Sequence, residues 1–366
     1  MSYNNTVLTI TDVSTPDPFV VQAHGRYYLT FTAGDHVEVW CSDNLLTLGS
    51  NCEKTTVWRP PPNTHYSGGV WAPELHDIGG RWYIYVACEN PPEGNKSHRM
   101  YVLGGPPSTQ TPCVPDWEFL GPIQGLPPQQ WAIDGTVASI GGYLYFIYSG
   151  WPFDNHQLSD KVQELFIIRL TSATTAAGPA VCICQPREHW ERSDASAINE
   201  GPQWLSSPDG GWQGIVYSCA GSWTRDYKMN TIRYLGGDPV DPRSWSKSRR
   251  PLLTARGPNG GGPYGPGHGS FVQTMGETWA VFHGTDRETD GWENRKARVQ
   301  RVVWTAEGPY MSGTVGRLVG NEAAFLAVST GGGFPGSQGG GQQNVFSRSK
   351  RLSGFMDKMK KKINEF

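Results

Sequence analysis

The sequence has few charged residues, nearly balanced charge and no long apolar run. Lys, Arg, Asp and Glu make up 17% of the 366 residues, and the formal net charge is −2. This balance gives no electrostatic reason to expect a nucleic acid or a membrane as the main partner. No apolar run is long enough to cross a bilayer, and residues 1–6 show neither the charged nor the apolar segment of a secretory signal. We therefore expect either an intracellular protein or an extracellular one whose signal is not part of this sequence.

The spacing of the cysteines excludes two common uses. The seven cysteines match no zinc-binding pattern, and Cys182 and Cys184 are too close in sequence for a CxxC redox motif. Cys88 and Cys219 lie in apolar, strand-like runs, which predicts buried thiols. A disulfide between Cys41 and Cys52 is conceivable, and the sequence leaves it open.

Aromatic residues and glycine are abundant by contrast, with 15 Trp, 15 Tyr, 13 Phe and 46 Gly. A glycine followed by an aromatic-rich, alternating run recurs five times, at intervals of 55 to 69 residues. Each run predicts a β-strand, and each glycine predicts the turn before it. The glycines are Gly25, Gly80, Gly142, Gly211 and Gly276. Little helix is expected in residues 1–325.

A short polar motif precedes each of these glycines. The motifs are Asp17-Pro18-Phe19-Val20, Trp71-Ala72-Pro73-Glu74-Leu75, Ile133-Asp134-Gly135-Thr136, Asn199-Glu200-Gly201-Pro202 and Gly267-His268-Gly269-Ser270. Five repeated sheet units are typical of a five-bladed β-propeller, an all-β fold whose blades surround a central channel. Equivalent positions on the inner strands converge there. We therefore expect the ionisable residues Asp17, Glu74, Asp134, Glu200 and His268 to occupy equivalent positions and to meet. A β-sandwich or a β-helix with scattered acids is the alternative fold.

Converging carboxyl groups suit the hydrolysis of glycosides. One carboxyl group must be protonated, so that it can donate a proton to the leaving oxygen, and another must be ionised, so that it can activate water. Burial and neighbouring charges separate the pKa values of acids that share a pocket. Asp17, Asp134 and Glu200 are the candidate catalytic residues. Each of them alone is more typical of a turn, so the shared spacing carries the interpretation.

The five motifs together, with Tyr264-Gly265-Pro266 before the last, resemble the signature of glycoside hydrolase family 43. The resemblance covers about residues 10–320 and implies an inverting glycosidase. It implies that Asp17 is the general base, that Glu200 is the general acid, and that Asp134 raises the pKa of the acid and orients it. In an inverting enzyme the base and the acid lie roughly 6.5–9.5 Å apart, which leaves room for a water molecule.

The resemblance also implies residues that bind the substrate. Trp71 is expected to contact the sugar, and Arg295 is expected to reach its hydroxyl groups, with a surface salt bridge as the alternative for Arg295. Further candidates for the pocket are Phe31, Trp131, Trp151 and Trp223, two of which are expected to serve packing only. Glu74 is expected to be structural.

His268 resembles a histidine that stands beside a bound metal ion on the propeller axis. The resemblance implies a structural calcium ion there, which His268 would contact through water because calcium prefers oxygen ligands. A buried structural histidine is the alternative. No cofactor is expected to be required for the reaction.

Several stretches, among them residues 131–137, 199–203 and 217–223, resemble the exo-1,5-arabinofuranosidase branch of the family. This resemblance implies release of terminal α-L-arabinofuranosyl residues from arabinan or arabino-oligosaccharides. The alternatives are a β-xylosidase or a galactofuranosidase of the same family, and a non-catalytic carbohydrate-binding propeller. A binding module, however, has no reason to keep all three acids.

The C-terminal residues differ in composition from the rest of the chain. We expect a catalytic propeller over residues 1–325, a glycine-rich linker over 326–345 and a basic tail over 346–366. Apolar residues recur at helical spacing in the tail. It is expected to be either an amphipathic helix that contacts an anionic membrane or a protein partner, or a disordered segment. The enzyme is expected to be a monomer.

Overall fold

The computed structural model describes residues 7–255, 263–274, 276–311 and, for the backbone only, 313–315. These residues are all-β, as predicted: they form 24 strands and four short 3₁₀-helices, and no α-helix occurs among them. The 3₁₀-helices span Leu45–Thr47, Gly94–Ser97, His189–Glu191 and Pro242–Ser244. Within the same ranges, no helix has the length and apolar character needed to cross a membrane. The predicted linker and tail lie outside the described residues.

The strands form five antiparallel groups of four. After β1 (Leu8–Thr9), the first group is β2 (Phe19–Ala23), β3 (Arg26–Thr30), β4 (Val37–Ser42) and β5 (Glu53–Trp58). The second is β6 (Gly68–Ile78), β7 (Arg81–Glu89), β8 (Arg99–Pro107) and β9 (Glu118–Pro122). The third is β10 (Ala132–Ile140), β11 (Tyr143–Gly150), β12 (Val162–Ser172) and β13 (Thr175–Cys184).

The fourth group follows the two-residue strand β14 (Arg192–Ser193), which pairs with its first strand. It consists of β15 (Ser196–Ser206), β16 (Gln213–Cys219), β17 (Lys228–Tyr234) and β18 (Trp245–Lys247), and β19 (Leu253–Ala255) also pairs with β17. The fifth group is β20 (Tyr264–Thr274), β21 (Glu277–Thr285) and β22 (Lys296–Thr305), with the short β23 (Gly308–Tyr310) beside β22. β24 (Gly313–Val315) pairs with β19. The fourth strand of the fifth group is β1, so the start of the chain completes its last sheet.

Two parallel residue pairs join the third group to the fourth, Val162 with Ala197 and Gln163 with Ile198. The two groups and the neighbouring short strands thereby form one eleven-stranded sheet.

The predicted glycine–aromatic runs form the second strand of every group, namely β3, β7, β11, β16 and β21. The glycine turns permit this, since Gly80 and Gly142 adopt φ values of 85° and 83°, which glycine tolerates without strain. The core lies between neighbouring groups: separate apolar clusters join the first to the second, the second to the third, the third to the fourth and the fourth to the fifth.

The first strands of the five groups contact one another in a cycle. β2 contacts β6 and β20, β6 contacts β10, β10 contacts β15, and β15 contacts β20. A side chain fixes one of these contacts: Ser270 Oγ in β20 accepts the Val20 N–H at 3.1 Å and donates to the Pro18 carbonyl oxygen at 3.0 Å. The five polar motifs lie on or directly before these strands and are therefore brought to one region.

All seven cysteines are free thiols. The disulfide considered between Cys41 and Cys52 is therefore not formed. The register of β4 and β5 explains this, because it places Glu53 rather than Cys52 opposite Cys41. Cys88 and Cys219 are fully buried, as predicted.

Candidate active site

In each of the five polar motifs one residue, on or just before the first strand, has a left-handed backbone. These residues are Asp17, Ala72, Asp134, Gly201 and His268, with φ values between 42° and 57°. In β6, β10, β15 and β20 the register against the second strand shifts at this residue, which marks a β-bulge. A left-handed backbone costs about 1–3 kcal/mol for residues other than glycine and is concentrated at functional sites. The repeated bulge therefore marks one end of the five strands as a candidate site.

The expected equivalence of the five ionisable residues is wrong for Glu74 and Glu200, because Ala72 and Gly201 hold the bulge positions. A spacing pattern does not reveal which residue of a motif takes the left-handed backbone. Glu74, two residues past its bulge, is buried, accepts a hydrogen bond from Gln203 Nε2 and lies 3.0 Å from His76 Nε2. These contacts agree with the structural role expected for Glu74.

A cavity of about 710 Å³ opens at this end of the strands. Eight of the predicted site residues line it: Asp17, Asp134, Glu200, His268, Arg295, Trp71, Trp131 and Trp223. The three acids come from the first, third and fourth groups of strands and face one space.

Asp17 is surrounded by hydrogen-bond donors, by the Arg295 guanidinium and by two histidines. Thr32 Oγ1 donates to Asp17 Oδ2 at 2.7 Å, and Arg295 Nη1 donates to Asp17 Oδ1 at 3.3 Å. The backbone N–H of Asp17 donates to His283 Nδ1 at 3.0 Å. Burial raises the pKa of Asp17, but Arg295, followed by His268 and His283, outweighs burial and holds the pKa well below its usual value. Asp17 is therefore ionised at neutral pH, and Arg295 belongs to the cavity rather than to a surface salt bridge.

The pKa values of Asp134 and Glu200 are raised, whereas that of Asp17 is lowered. Burial, and then the charge of Glu200, raises the pKa of Asp134 well above its usual value, although the Gly201 N–H donates to Asp134 Oδ2 at 3.1 Å. Burial also raises the pKa of Glu200 to about 7, opposed by the Tyr227 hydroxyl and supported by the charge of Asp17. Two acids that interact this closely each favour the neutral form of the other. The cavity therefore holds an ionised carboxylate and a protonated carboxyl at the same pH.

His268 is buried next to two of the acids. Its Nδ1 lies 3.3 Å from Asp17 Oδ1 and 3.9 Å from Asp134 Oδ2, and its backbone N–H donates to Ser218 Oγ at 2.6 Å. Burial lowers the pKa of His268. Calcium takes six to eight oxygen ligands, whereas no group of three or more His, Cys, Asp or Glu within the described ranges is arranged to hold a metal ion. The described residues therefore show no site in which protein side chains alone would hold a calcium ion, and we derive no step through a metal.

Three of the five predicted aromatic residues line the cavity. Trp71 stacks on His98 at a ring distance of 3.8 Å, and Trp131 Nε1 donates to the Asn95 carbonyl oxygen at 2.7 Å. Trp223 keeps 37% of its surface exposed. The cavity therefore offers aromatic faces beside its acids.

Phe31 and Trp151 are buried outside the lining of the cavity. Phe31 packs edge-on against Trp40 at 4.8 Å, and Trp151 stacks on Trp131 at 5.0 Å. These two residues serve packing, and the substrate-binding role proposed for them from sequence finds no support in their positions.

Thr32, His283 and Trp292 contact or line the site but were not predicted. Thr32 follows directly on the first glycine–aromatic run, and His283 lies near the end of the fifth, in β21. A search of the ends of these runs would therefore have found both. Trp292 lies in the loop before β22, three residues before Arg295, where no repeated pattern marks it.

The chain resembles named arabinofuranosidases in sequence. Alpha-L-arabinofuranosidase 43 of Humicola insolens is 31% identical over 307 residues, which cover 80% of this chain and 60% of that protein. An extracellular exo-alpha-(1->5)-L-arabinofuranosidase of Streptomyces chartreusis is 31% identical over 258 residues, which cover 68% of this chain and 72% of that protein. The chain thus spans about 60% of the length of the Humicola relative.

Comparison with solved structures and with protein-family models agrees with these relatives. The alpha-L-arabinofuranosidase from Lactobacillus brevis superimposes with a TM-score of 0.72 and is 27% identical, with 82% of this chain and 94% of that chain covered. The family model for glycosyl hydrolases family 43 matches residues 4–310. That match includes every one of the five motifs, and the chain therefore belongs to glycosyl hydrolases family 43.

Proposed function

We propose that the protein is an exo-acting, inverting α-L-arabinofuranosidase, which cleaves terminal α-L-arabinofuranosyl residues from arabinan or arabino-oligosaccharides. One observation carries the proposal: Asp17, Asp134 and Glu200 face one cavity, with the pKa of Asp17 lowered and the pKa values of the other two raised. An inverting glycosidase needs this combination of an ionised base and a protonated acid.

In the proposed mechanism, Asp17 is the general base and Glu200 the general acid. Asp17 takes a proton from a water molecule as the water oxygen bonds to the anomeric carbon. The bond from that carbon to the leaving oxygen breaks, and Glu200 gives its proton to this oxygen. The sugar is released with inverted configuration. Asp17 lies just before β2 and Glu200 lies on β15. These two strands are not neighbours in the cycle of contacts, which supports a separation that admits water.

Asp134 and Arg295 assist these two groups. Asp134 favours the protonated form of Glu200, because two adjacent carboxyl groups cannot both ionise at little cost. Arg295 keeps Asp17 ionised and is placed to donate to the hydroxyl groups of the sugar. No cofactor takes part in these steps.

The names of the relatives support the choice of sugar. The proteins from Humicola insolens and Streptomyces chartreusis, and the structural neighbour from Lactobacillus brevis, are all named arabinofuranosidases. Two relatives are named extracellular enzymes, which fits the second of the two locations expected from sequence.

We also propose that the five groups of strands are the blades of a five-bladed propeller within residues 1–325. The cycle of contacts among β2, β6, β10, β15 and β20 supports a central axis. The pairing of β1 with β22 supports closure of the ring by the N-terminal strand. Residues 326–345 and 346–366 remain a proposed linker and tail.

A panel of 4-nitrophenyl glycosides tests the proposed substrate. We expect release of nitrophenol from the α-L-arabinofuranoside, at a kcat/KM well above that for the β-D-xyloside and the β-D-galactofuranoside. Activity on the β-D-xyloside alone would make the protein a β-xylosidase. Sugar binding without turnover of any glycoside would favour the non-catalytic propeller.

A further inference from the structure

Two tryptophans form an exposed pair beside the acids. Trp223 is 37% exposed and Trp292 is 59% exposed, and their rings meet nearly edge to face, 5.7 Å apart at an angle of 68°. Both side chains line the cavity that contains Asp17 and Glu200. An exposed aromatic pair in a cavity indicates a binding surface, since contact with a ligand removes its apolar faces from water.

Contacts between two loops hold the pair in place. One loop, residues 220–227, follows β16, and the other, residues 286–295, follows β21. Trp292 Nε1 donates to Ser222 Oγ at 3.1 Å, and Arg225 forms an ion pair with Glu288 at 2.5 Å. The Trp223 ring covers Gly221, where an added Cβ would lie only 2.7 Å from the ring. The rings are therefore ordered before a ligand binds, which lowers the entropic cost of binding.

Each loop is also tied to a strand or side chain next to a catalytic acid. The Trp292 carbonyl oxygen accepts a hydrogen bond from Arg295 Nε at 3.1 Å, and Arg295 contacts Asp17. The Ala220 N–H donates to the Ile198 carbonyl oxygen at 3.2 Å, two residues before Glu200. The tryptophan pair is thus continuous with the acids and is not a separate surface patch.

We propose that Trp223 and Trp292 bind the first sugar of the leaving group and make the enzyme prefer oligosaccharides to glycosides of small alcohols. The inference rests on the proposed function, in which the terminal sugar lies between Asp17 and Glu200. The remaining sugars of the substrate must then leave the cavity through its opening to solvent, which is where the exposed rings of Trp223 and Trp292 lie. The C–H face of a sugar ring is apolar and stacks on an indole in the same way as other apolar groups.

Replacing Trp292 by Ala tests the inference with two substrates whose leaving groups are both alkyl alcohols. We expect kcat/KM for α-1,5-linked arabinotriose to fall about tenfold, the equivalent of ~1.4 kcal/mol. The kcat/KM for methyl α-L-arabinofuranoside, which has no second sugar, should stay within about twofold of the wild type. Trp292→Phe should keep most of the activity on arabinotriose. Tyr143→Ala removes another exposed aromatic residue, in the third group of strands, and should change neither rate.

Equal losses on the two substrates, or no loss on either, would overturn the inference. If the wild type hydrolyses xylosides but not arabinosides, the proposed sugar specificity is wrong, but the role of the two tryptophans can still be tested. The same comparison is then made with xylotriose and methyl β-D-xyloside. If Trp292→Ala lowers kcat/KM for xylotriose but not for methyl β-D-xyloside, the tryptophan site is supported. Equal losses of kcat/KM on the two substrates, or no loss on either, would reject it.

Discussion

Glu200→Gln is expected to lower kcat/KM on arabino-oligosaccharides by about 10²- to 10⁴-fold, the usual contribution of a general acid. Gln keeps the size of the side chain but has no proton to give to the leaving oxygen. The loss should be smaller on 4-nitrophenyl α-L-arabinofuranoside, because nitrophenolate leaves without protonation. Steady-state kinetics on both substrates measures this difference. Full activity of the variant on arabinotriose would refute the assignment of Glu200.

The pH dependence of the same variant gives a second readout. In the wild type, Glu200 acts while protonated, so kcat/KM should fall as the pH rises through its pKa of about 7. Asp17 acts while ionised. Because its pKa is lowered, it stays ionised until the pH falls below the usual pKa of an aspartate. Glu200→Gln should lose the decline near neutral pH and keep the decline in acid. Glu74→Gln alters a buried glutamate that does not line the cavity and is the matched control. It should retain both the decline of kcat/KM near neutral pH and the decline in acid.

Asp17→Asn is expected to lower kcat/KM by about 10²- to 10⁴-fold on every substrate, regardless of the leaving group. The reason is that the variant cannot take the proton from water, and that step does not depend on which alcohol or phenol departs. This pattern separates Asp17 from Glu200, whose loss depends on the leaving group. Kinetics on arabinotriose and on the nitrophenyl glycoside measures it.

Azide gives an independent check of Asp17, since azide attacks without losing a proton. Added azide should restore part of the turnover of Asp17→Asn and form a glycosyl azide. Asp43→Asn is the control, because Asp43 is an exposed acid paired with Arg26. If Asp17→Asn loses activity only on the substrate with the poor leaving group, Asp17 is not the base.

Repetition explains how much of the fold was predictable. A glycine turn before an alternating aromatic run is a local signal, and it recurs at Gly25, Gly80, Gly142, Gly211 and Gly276. The five second strands could therefore be located from the sequence. The pairing of β1 with β22 could not, because a two-residue strand carries no periodic pattern of its own.

The candidate site was predicted in part for a similar reason. Asp17, Asp134 and Glu200 stand in repeated motifs, so their approach followed from the spacing. The backbone conformation decides which residue of a motif forms the bulge. Ala72 and Gly201 form it in their groups, so Glu74 and Glu200 do not occupy the equivalent positions expected from the sequence.

The aromatic residues of the site were the least predictable. The burial of Phe31 and Trp151 depends on partners in three dimensions, which an aromatic residue in a sequence does not specify. Trp292 reaches the cavity through a loop that contacts another loop, at Ser222. Contacts between loops leave no periodic trace in a sequence.

The most direct test is ¹H NMR of the first sugar released from α-1,5-linked arabinotriose, recorded before the anomers equilibrate. The proposed displacement, with Asp17 and Glu200 on opposite sides of the bond, predicts that β-L-arabinofuranose is the first monosaccharide to be formed and that it comes from the chain end. Initial appearance of the α anomer would require retention of configuration and would contradict the account.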